Sequence, residues 1–257
     1  MAQQYLKEVS ALKIRIKFSK TGAVRFIGHL DVMRYFQKLN RRAGIDVKYS
    51  TGFSPHQIMS FAAPLGVGLE SHGEYVDIEV NSTMSSSESI KALNNASVEG
   101  IQVTSYVELP EGTANAMSSV AAADYAVCIK EQYKPTVIAD NAMLKERFEE
   151  FLSQSSIVVT KASKKSEREV DLRPLIYKAS VNENGEIFMQ LCTGSAENLK
   201  PELVIETFFR YVGDKMSQFA LDICRLEVYG LYTSKDENGN FISEKLIPLE
   251  QFGKEIL

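Results

Sequence analysis

An α+β protein of two tandem β-α-β-β-α-β units is what the sequence predicts, on three observations. Short stretches alternate apolar and charged residues with a period of two, the mark of half-buried strands. Between them lie stretches with apolar residues at helical spacing. The order strand, helix, strand, strand, helix, strand is legible twice, on either side of a small-residue stretch at Pro110–Ala123. That order is the ferredoxin-like pattern, here with antiparallel sheets.

The first unit is expected over residues 1–112. Leu12–Phe18 (LKIRIKF) puts Ile14, Ile16 and Phe18 on one face and Lys13, Arg15 and Lys17 on the other. After a turn at SKTGAV, HLDVMRYFQKLNRRAG reads as a helix with Val32, Phe36, Leu39 and Ala43 on one face and Gly44 as its stop. IDVKYS is a short strand, and the Gly/Pro-rich segment Ser50–Gly68 follows. Glu74–Val80 alternates with Val76, Ile78 and Val80 inward. Serines ahead of Glu88 signal a capped helix, and Ile101–Leu109 closes the unit as a strand.

Pro110–Ala123 is small and polar, the composition of a linker. The second unit is expected over residues 121–257. DYAVCIK is a strand, NAMLKERFEEFLSQ a helix with Leu144, Phe148, Phe151 and Leu152 inward, and SIVVTKAS a strand. REVDLRPLIYKASV and EIFMQLCTG read as a hairpin turning at Asn184-Gly185. KPELVIETFFRYVG is a helix with Pro201 near its start. CRLEVYGLYTS is the last strand, and the tail adds an extra hairpin.

Composition excludes several classes. At 44% apolar and 24% charged over 257 residues the chain is ordinarily globular. A net charge of -4 excludes a general polycation, though not a local basic patch. No apolar run is long enough to span a bilayer. The first residues hold no apolar signal core, so a cytoplasmic protein is expected. Cys128, Cys192 and Cys224 are widely spaced, which reads as buried thiols and gives no ligand set for a cluster or zinc. Gly66 and Gly68 form a GxG, but with neither GxGxxG spacing nor a following helix. Neither a metal nor another cofactor is expected.

Charge and loops supply the candidate residues. Arg34, Lys38 and Arg41 fall on one side of the first helix, where like charges repel by a few tenths of a kcal/mol per pair. A phosphate backbone relieves that cost. With Arg25, Arg42, Lys164 and Lys165 they form the expected RNA-binding set, a solvated charged face being the plainer alternative. The facing strand charges, Lys13, Arg15 and Lys17 against Tyr75, Asp77 and Glu79, are expected to neutralise one another on an open sheet face. Phe53 and His56 in the Gly/Pro-rich segment, with Asp171 and Arg173 sharing a strand face, are the expected partner-binding residues. In that segment Phe53, Ile58, Met59 and Phe61 read either as a docking surface or, from Met59 onward, as a buried extra strand. His29 opens a helix, where the dipole disfavours imidazolium. His29 and His56 are therefore the acid and base of the alternative reading, a metal-independent ribonuclease or transferase. His72 is placed in a polar turn.

The stretch RIKFSKTGAVRFIGHLDVMRYFQKLNRRAGIDVKYSTGFSPHQIMSFAAPLGVGLESHGEYVDIEV, with EVDLRPLI later, resembles a radical-SAM-linked family of bacterial proteins. That resemblance implies a companion role beside a radical SAM protein. The cysteine triplet CxxxCxxC of such enzymes is absent from this chain. A looser analogy is to the tandem ferredoxin-like RNA-processing proteins of CRISPR systems, some of which use a histidine near the first helix. Together these readings give the expected function: a non-catalytic accessory protein that binds structured RNA or a radical SAM partner in RNA modification or processing.

Overall fold

The computed structural model describes residues 11–162, 167–194, 197–236 and 241–257. The chain divides into two compact units. The first takes the described residues of Met1–Gly68 with Glu74–Ser119 and Ile247–Leu257; the second takes Leu69–Gly73 and Val120–Leu246. Apart from one two-stranded ribbon, the strands belong to a large, mostly antiparallel sheet.

In the first unit the order is β1 (Leu12–Lys20), α1 (His29–Arg42), β2 (Met59–Phe61), β3 (Glu70–Val80, of which residues 70–73 fall in the second unit), α2 (Ser86–Ala96), β4 (Ile101–Glu108) and the single turn α3 (Ala116–Ser119). The strands lie in the order β4-β1-β3-β2. Period-two patterning buries Ile14, Ile16 and Phe18 against Val76, Ile78 and Val80, and α1 adds Val32, Phe36 and Leu39 to this core. Phe36 packs on Phe18 at 4.5 Å. α2 begins with the expected capping box: the Ser85 side chain accepts from the Glu88 backbone and the Glu88 carboxylate accepts from Ser85.

Several expectations are corrected here. IDVKYS does not form the second strand. Val47 and Tyr49 make only isolated bridges, to Val80 and Gln57. Met59–Phe61 takes the place beside β3, in register with Ile78, Asp77 and Val76. Strand propensity alone does not choose between two short apolar stretches; pairing does. The charged face of β1 is not open. Arg15 is fully buried, donating from Nη1 to the Leu249 carbonyl at 3.1 Å. Lys17 reaches Glu250 at 2.9 Å and lies 5.7 Å from the Tyr75 ring centre. The chain's end therefore covers this face. It is also stitched to β4 and α2, with backbone bonds between Glu108 and Lys254 and from Ser86 to Ile256.

Nor is Pro110–Ala123 a bare linker. It contains α3, capped by Asn115 Oδ1 accepting from Ser118 N at 3.0 Å. Ala116, Ala122 and Ala123 are buried, so their small size serves packing.

The second unit runs β5 (Val120–Ile129), α4 (Asn141–Leu152), β6 (Val158–Ala162), β7 (Glu167–Asp171), β8 (Ile176–Val181), β9 (Ile187–Cys192), α5 (Pro201–Tyr211), β10 (Leu221–Lys235) and β11 (Phe241–Pro248), with β11 running into the first unit's final segment. Its sheet order is β10-β5-β9-β8, and β11 pairs with β10. Phe148 of α4 meets Phe208 of α5 edge to face at 5.2 Å. The hairpin β8–β9 turns around Asn184-Gly185 as expected, but through a longer loop than a two-residue turn. Asn182 N donates to the Glu186 carbonyl and Gly185 N to the Asn182 carbonyl, with Gly185 at φ +80 and Asn184 at negative φ. β7, however, leaves that hairpin and pairs with β6 as a separate ribbon. β3 starts earlier than expected: Glu70 and Ser71 pair in parallel with Cys224 and Arg225. A Cβ on Gly73 would stand 2.6 Å from the Glu227 backbone, so the chain passes too closely for any other residue. His72 therefore lies in a strand, exposed, and not in a turn.

The three cysteines are free, as spacing suggests, but they are not buried: Cys128 is exposed and Cys192 and Cys224 are half-buried. Cys128 falls between the core residues Val127 and Ile129, on the opposite face of β5. Among the described residues, no helix is long and apolar enough to cross a membrane.

Candidate functional site

The first helix turns its apolar stripe inward and leaves Arg34, Lys38 and Arg41 exposed on the other side. Arg34 reaches Asp31 at 3.4 Å, both well exposed, an arrangement of little energetic weight. Arg41 Nε donates to the Tyr49 hydroxyl at 3.3 Å. Hydrogen bonds from Gln57 and Arg41 hold that phenol below its ordinary pKa. Among the described residues, Lys38 has no hydrogen bond or ion pair. Arg42 is drawn sideways: it donates to the Ala96 carbonyl at 3.1 Å and lies 5.6 Å from the Tyr35 ring centre. Arg25 stacks on Phe26 at 4.9 Å. Lys164 and Lys165 lie outside the described residues.

The segment Ser50–Gly68 has two parts of opposite character. Its tip is exposed, with Phe53 wholly in solvent beside Gly52 at φ +113. His56 is tied to Ser50, whose Oγ lies 2.9 Å from His56 Nδ1 and accepts from His56 N at 3.1 Å. One residue later the chain dives inward. Gln57 is buried, its Oε1 accepting from Asn40 at 3.0 Å and its Nε2 donating to the Gln37 carbonyl at 3.0 Å. Phe61 then joins the core, edge to face with Phe36 at 5.6 Å. The buried-strand reading holds for Met59–Phe61, while the tip before Gln57 is exposed.

His29 is half-buried at the first position of α1, with Gly28 as N-cap. Its ring packs edge to face on Phe61 at 5.3 Å. Together with Phe18, Lys20, Val32, Phe61, Ala63, Leu65 and Glu74 it lines a cavity of about 10 Å³, room for about one water. Burial lowers the pKa of His29, opposed by the charge of Glu74. Lys20 Nζ donates to the Arg25 carbonyl at 3.1 Å, which also accepts from Gly68 N at 2.8 Å. His29 and His56 share no contact, since the partners of one are Phe61 and the cavity and those of the other Ser50 and Ser54. Sequence reasoning missed Lys20 and Glu74. Parity could have found them: Lys20 falls on the Ile14–Phe18 face of β1, and Glu74 on the Val76–Val80 face of β3. Both are buried charges at the ends of core faces.

Asp171 and Arg173 do not share a strand face. Asp171 ends β7 and Arg173 begins a 3-10 turn, Arg173–Leu175. Asp171 Oδ1 accepts from Ile157 N at 2.8 Å and Arg173 N at 2.9 Å. These two bonds hold its carboxyl below the usual carboxylate range. The Arg173 guanidinium donates to the Ile176 carbonyl at 3.3 Å. Among the described residues, no group of three His, Cys, Asp or Glu side chains gathers to hold a metal ion.

These features define an α+β protein with a large, mostly antiparallel sheet and an exposed basic helix face. The chain belongs to the bacterial family described as "Uncharacterized protein conserved in bacteria (DUF2344)", whose model matches residues 13–201. No curated protein matches it. Among solved structures it is similar to the X-ray crystal structure of a heavy metal efflux pump, at 10% identity and a TM-score of 0.22. That match covers 85% of this chain and 28% of the other, so this chain spans under a third of that protein's length. So slight a likeness carries no argument about the fold.

Proposed function

We propose that this protein is a non-catalytic binding protein of two tandem ferredoxin-like units. Structured RNA lies against the exposed face of α1, and the tip Ser50–His56 meets a protein partner. The succession β-α-β-β-α-β, with strand orders β4-β1-β3-β2 and β10-β5-β9-β8, supports the architecture. The observation that carries the RNA reading is the stripe Arg34, Lys38 and Arg41, exposed, with Lys38 uncompensated among the described residues. The resemblance to the radical-SAM-linked family makes a radical SAM protein the partner, in RNA modification or processing in the cytoplasm. Charge reversal of all three residues to Glu abolishes retention on structured RNA. Before reversal, each contributes a slope of about 1 to the salt dependence. Unchanged retention after reversal removes the helix face from RNA binding. Pull-down of the radical SAM protein by wild type but not by Phe53→Ala/His56→Ala tests the tip.

A second reading, metal-independent acid–base chemistry, is favoured by one observation. Among the described residues, neither ring nitrogen of His29 has a hydrogen bond, beside a cavity that Glu74 also lines. His56 has no place in that arrangement. RNA turnover without divalent ions, lost in His29→Ala and kept in His56→Ala, supports this reading; its absence in wild type ends it.

A further inference from the structure

On β3 the side chains of Asp77 and Glu79 point the same way, two residues apart. That spacing on a strand is about 7 Å. With Lys13, Ser60 and Asn115 they line a cleft of about 340 Å³, to which Ile58, on the same face of its chain as Ser60, gives an apolar wall. Small-molecule sites occupy about 300–1,000 Å³.

The polar groups in this cleft differ in how fully they are engaged. Asp77 is satisfied, since Arg15 donates to both of its oxygens at 2.7 and 2.9 Å. Lys13 donates to the Thr113 carbonyl at 2.8 Å and stands 4.0 Å from Asp77, with hydrogens to spare. Glu79 has Lys48 at 3.9 Å, but its carboxylate accepts no hydrogen bond among the described residues. The same holds of the Ser60 hydroxyl and the Asn115 amide nitrogen, while Asn115 Oδ1 is held by Ser118 N and Oγ. Arg15 cancels the charge of Asp77. The cleft therefore keeps an ammonium at one end, a carboxylate at the other, and a donor and a hydroxyl without partners beside an apolar wall.

We propose that this cleft binds a small zwitterion, an α-amino acid with an apolar side chain. Its carboxylate lies against Lys13 and the Asn115 amide. Its ammonium donates to Glu79 and Ser60, and its side chain packs on Ile58. The two charges of such a molecule, with one hydrogen bond at each end, close a gap of the size set by the strand spacing. Nothing in the binding of RNA or of a protein partner requires this site, so it stands or falls separately from them.

The test is isothermal titration of the whole protein with L-leucine and L-methionine, beside leucinamide, which lacks the carboxylate, and 4-methylpentanoate, which lacks the ammonium. One-to-one binding is expected for an amino acid and not for either control. Glu79→Gln and Lys13→Met each weaken it about tenfold or more. Ser60→Ala, a smaller change at the same wall, also weakens it and serves if Lys13→Met does not fold. Absence of heat with both amino acids at about 10 mM, well above a millimolar Kd, overturns the proposal. So does equal binding of the controls, or full binding by folded Glu79→Gln.

Discussion

Arg15 and Asp77 form a bidentate ion pair, Nε to Oδ1 at 2.7 Å and Nη2 to Oδ2 at 2.9 Å, with both side chains shut off from solvent. Such geometry repays the desolvation of two charges only while both are present. Asp77→Leu leaves a guanidinium buried beneath the chain's end and is expected to cost about 3–5 kcal/mol. The double change Arg15→Met/Asp77→Leu recovers most of that. Urea midpoints of the three proteins decide it. A single variant as stable as wild type would mean the pair is not closed off from water in solution.

His29 predicts a pH dependence with a definite sign. Burial lowers its pKa from 6.5, against the opposing charge of Glu74. The unfolded chain then takes up the proton at higher pH than the folded one. The stability contributed by the neutral ring is present above 6.5 and lost as pH falls through the folded value. Wild type is expected to lose stability on acidification more steeply than His29→Gln. An NMR titration midpoint for His29 at 6.5 would remove this dependence, and one above it would reverse the sign.

Phe53 and Phe61 should separate by thermal melting, because the tip and the strand of one segment do different work. Phe53 touches solvent only, and Phe53→Ala is expected within about 0.5 kcal/mol of wild type. Phe61 packs against Phe18, Phe36 and His29, and Phe61→Ala is expected to cost about 3–5 kcal/mol. Equal losses would place the tip in a core that the structure does not give it.

Gly100 precedes β4 at φ +89, and a Cβ there would run into the Thr21 carbonyl and stand 2.8 Å from Val24. Gly100→Ala is expected to cost about 1–2 kcal/mol for the left-handed backbone alone, and more as the Thr21–Val24 turn shifts. Differential scanning calorimetry measures the sum. A gain in stability would mean that this turn has room the geometry denies it.

Much of the fold was legible because period is a local property. Ile14, Ile16 and Phe18 alternate with charges whatever the partner strand is, and Val32, Phe36 and Leu39 keep helical spacing without reference to what they cover. The Ser85–Glu88 box and the Asn184-Gly185 turn are equally local and were found where expected. The exposed basic stripe on α1 followed from the same spacing, since a helix with one apolar face must turn the other outward.

Tertiary structure alone decided the rest. It chose Met59–Phe61 over Ile45–Ser50 for the place beside β3, lengthened β3 through His72, and laid the chain's end over Arg15. Each of these rests on contacts between residues far apart in the chain, which no local pattern encodes. Lys20 and Glu74 make the point from the other side. Their parity in the sequence assigned them to the inward faces, but a lone charge at a strand's end is equally at home in water. Only the close approach of α1 and the Ala63–Leu65 wall closes them in with His29, because burial is a property of what surrounds a residue and not of the residue itself.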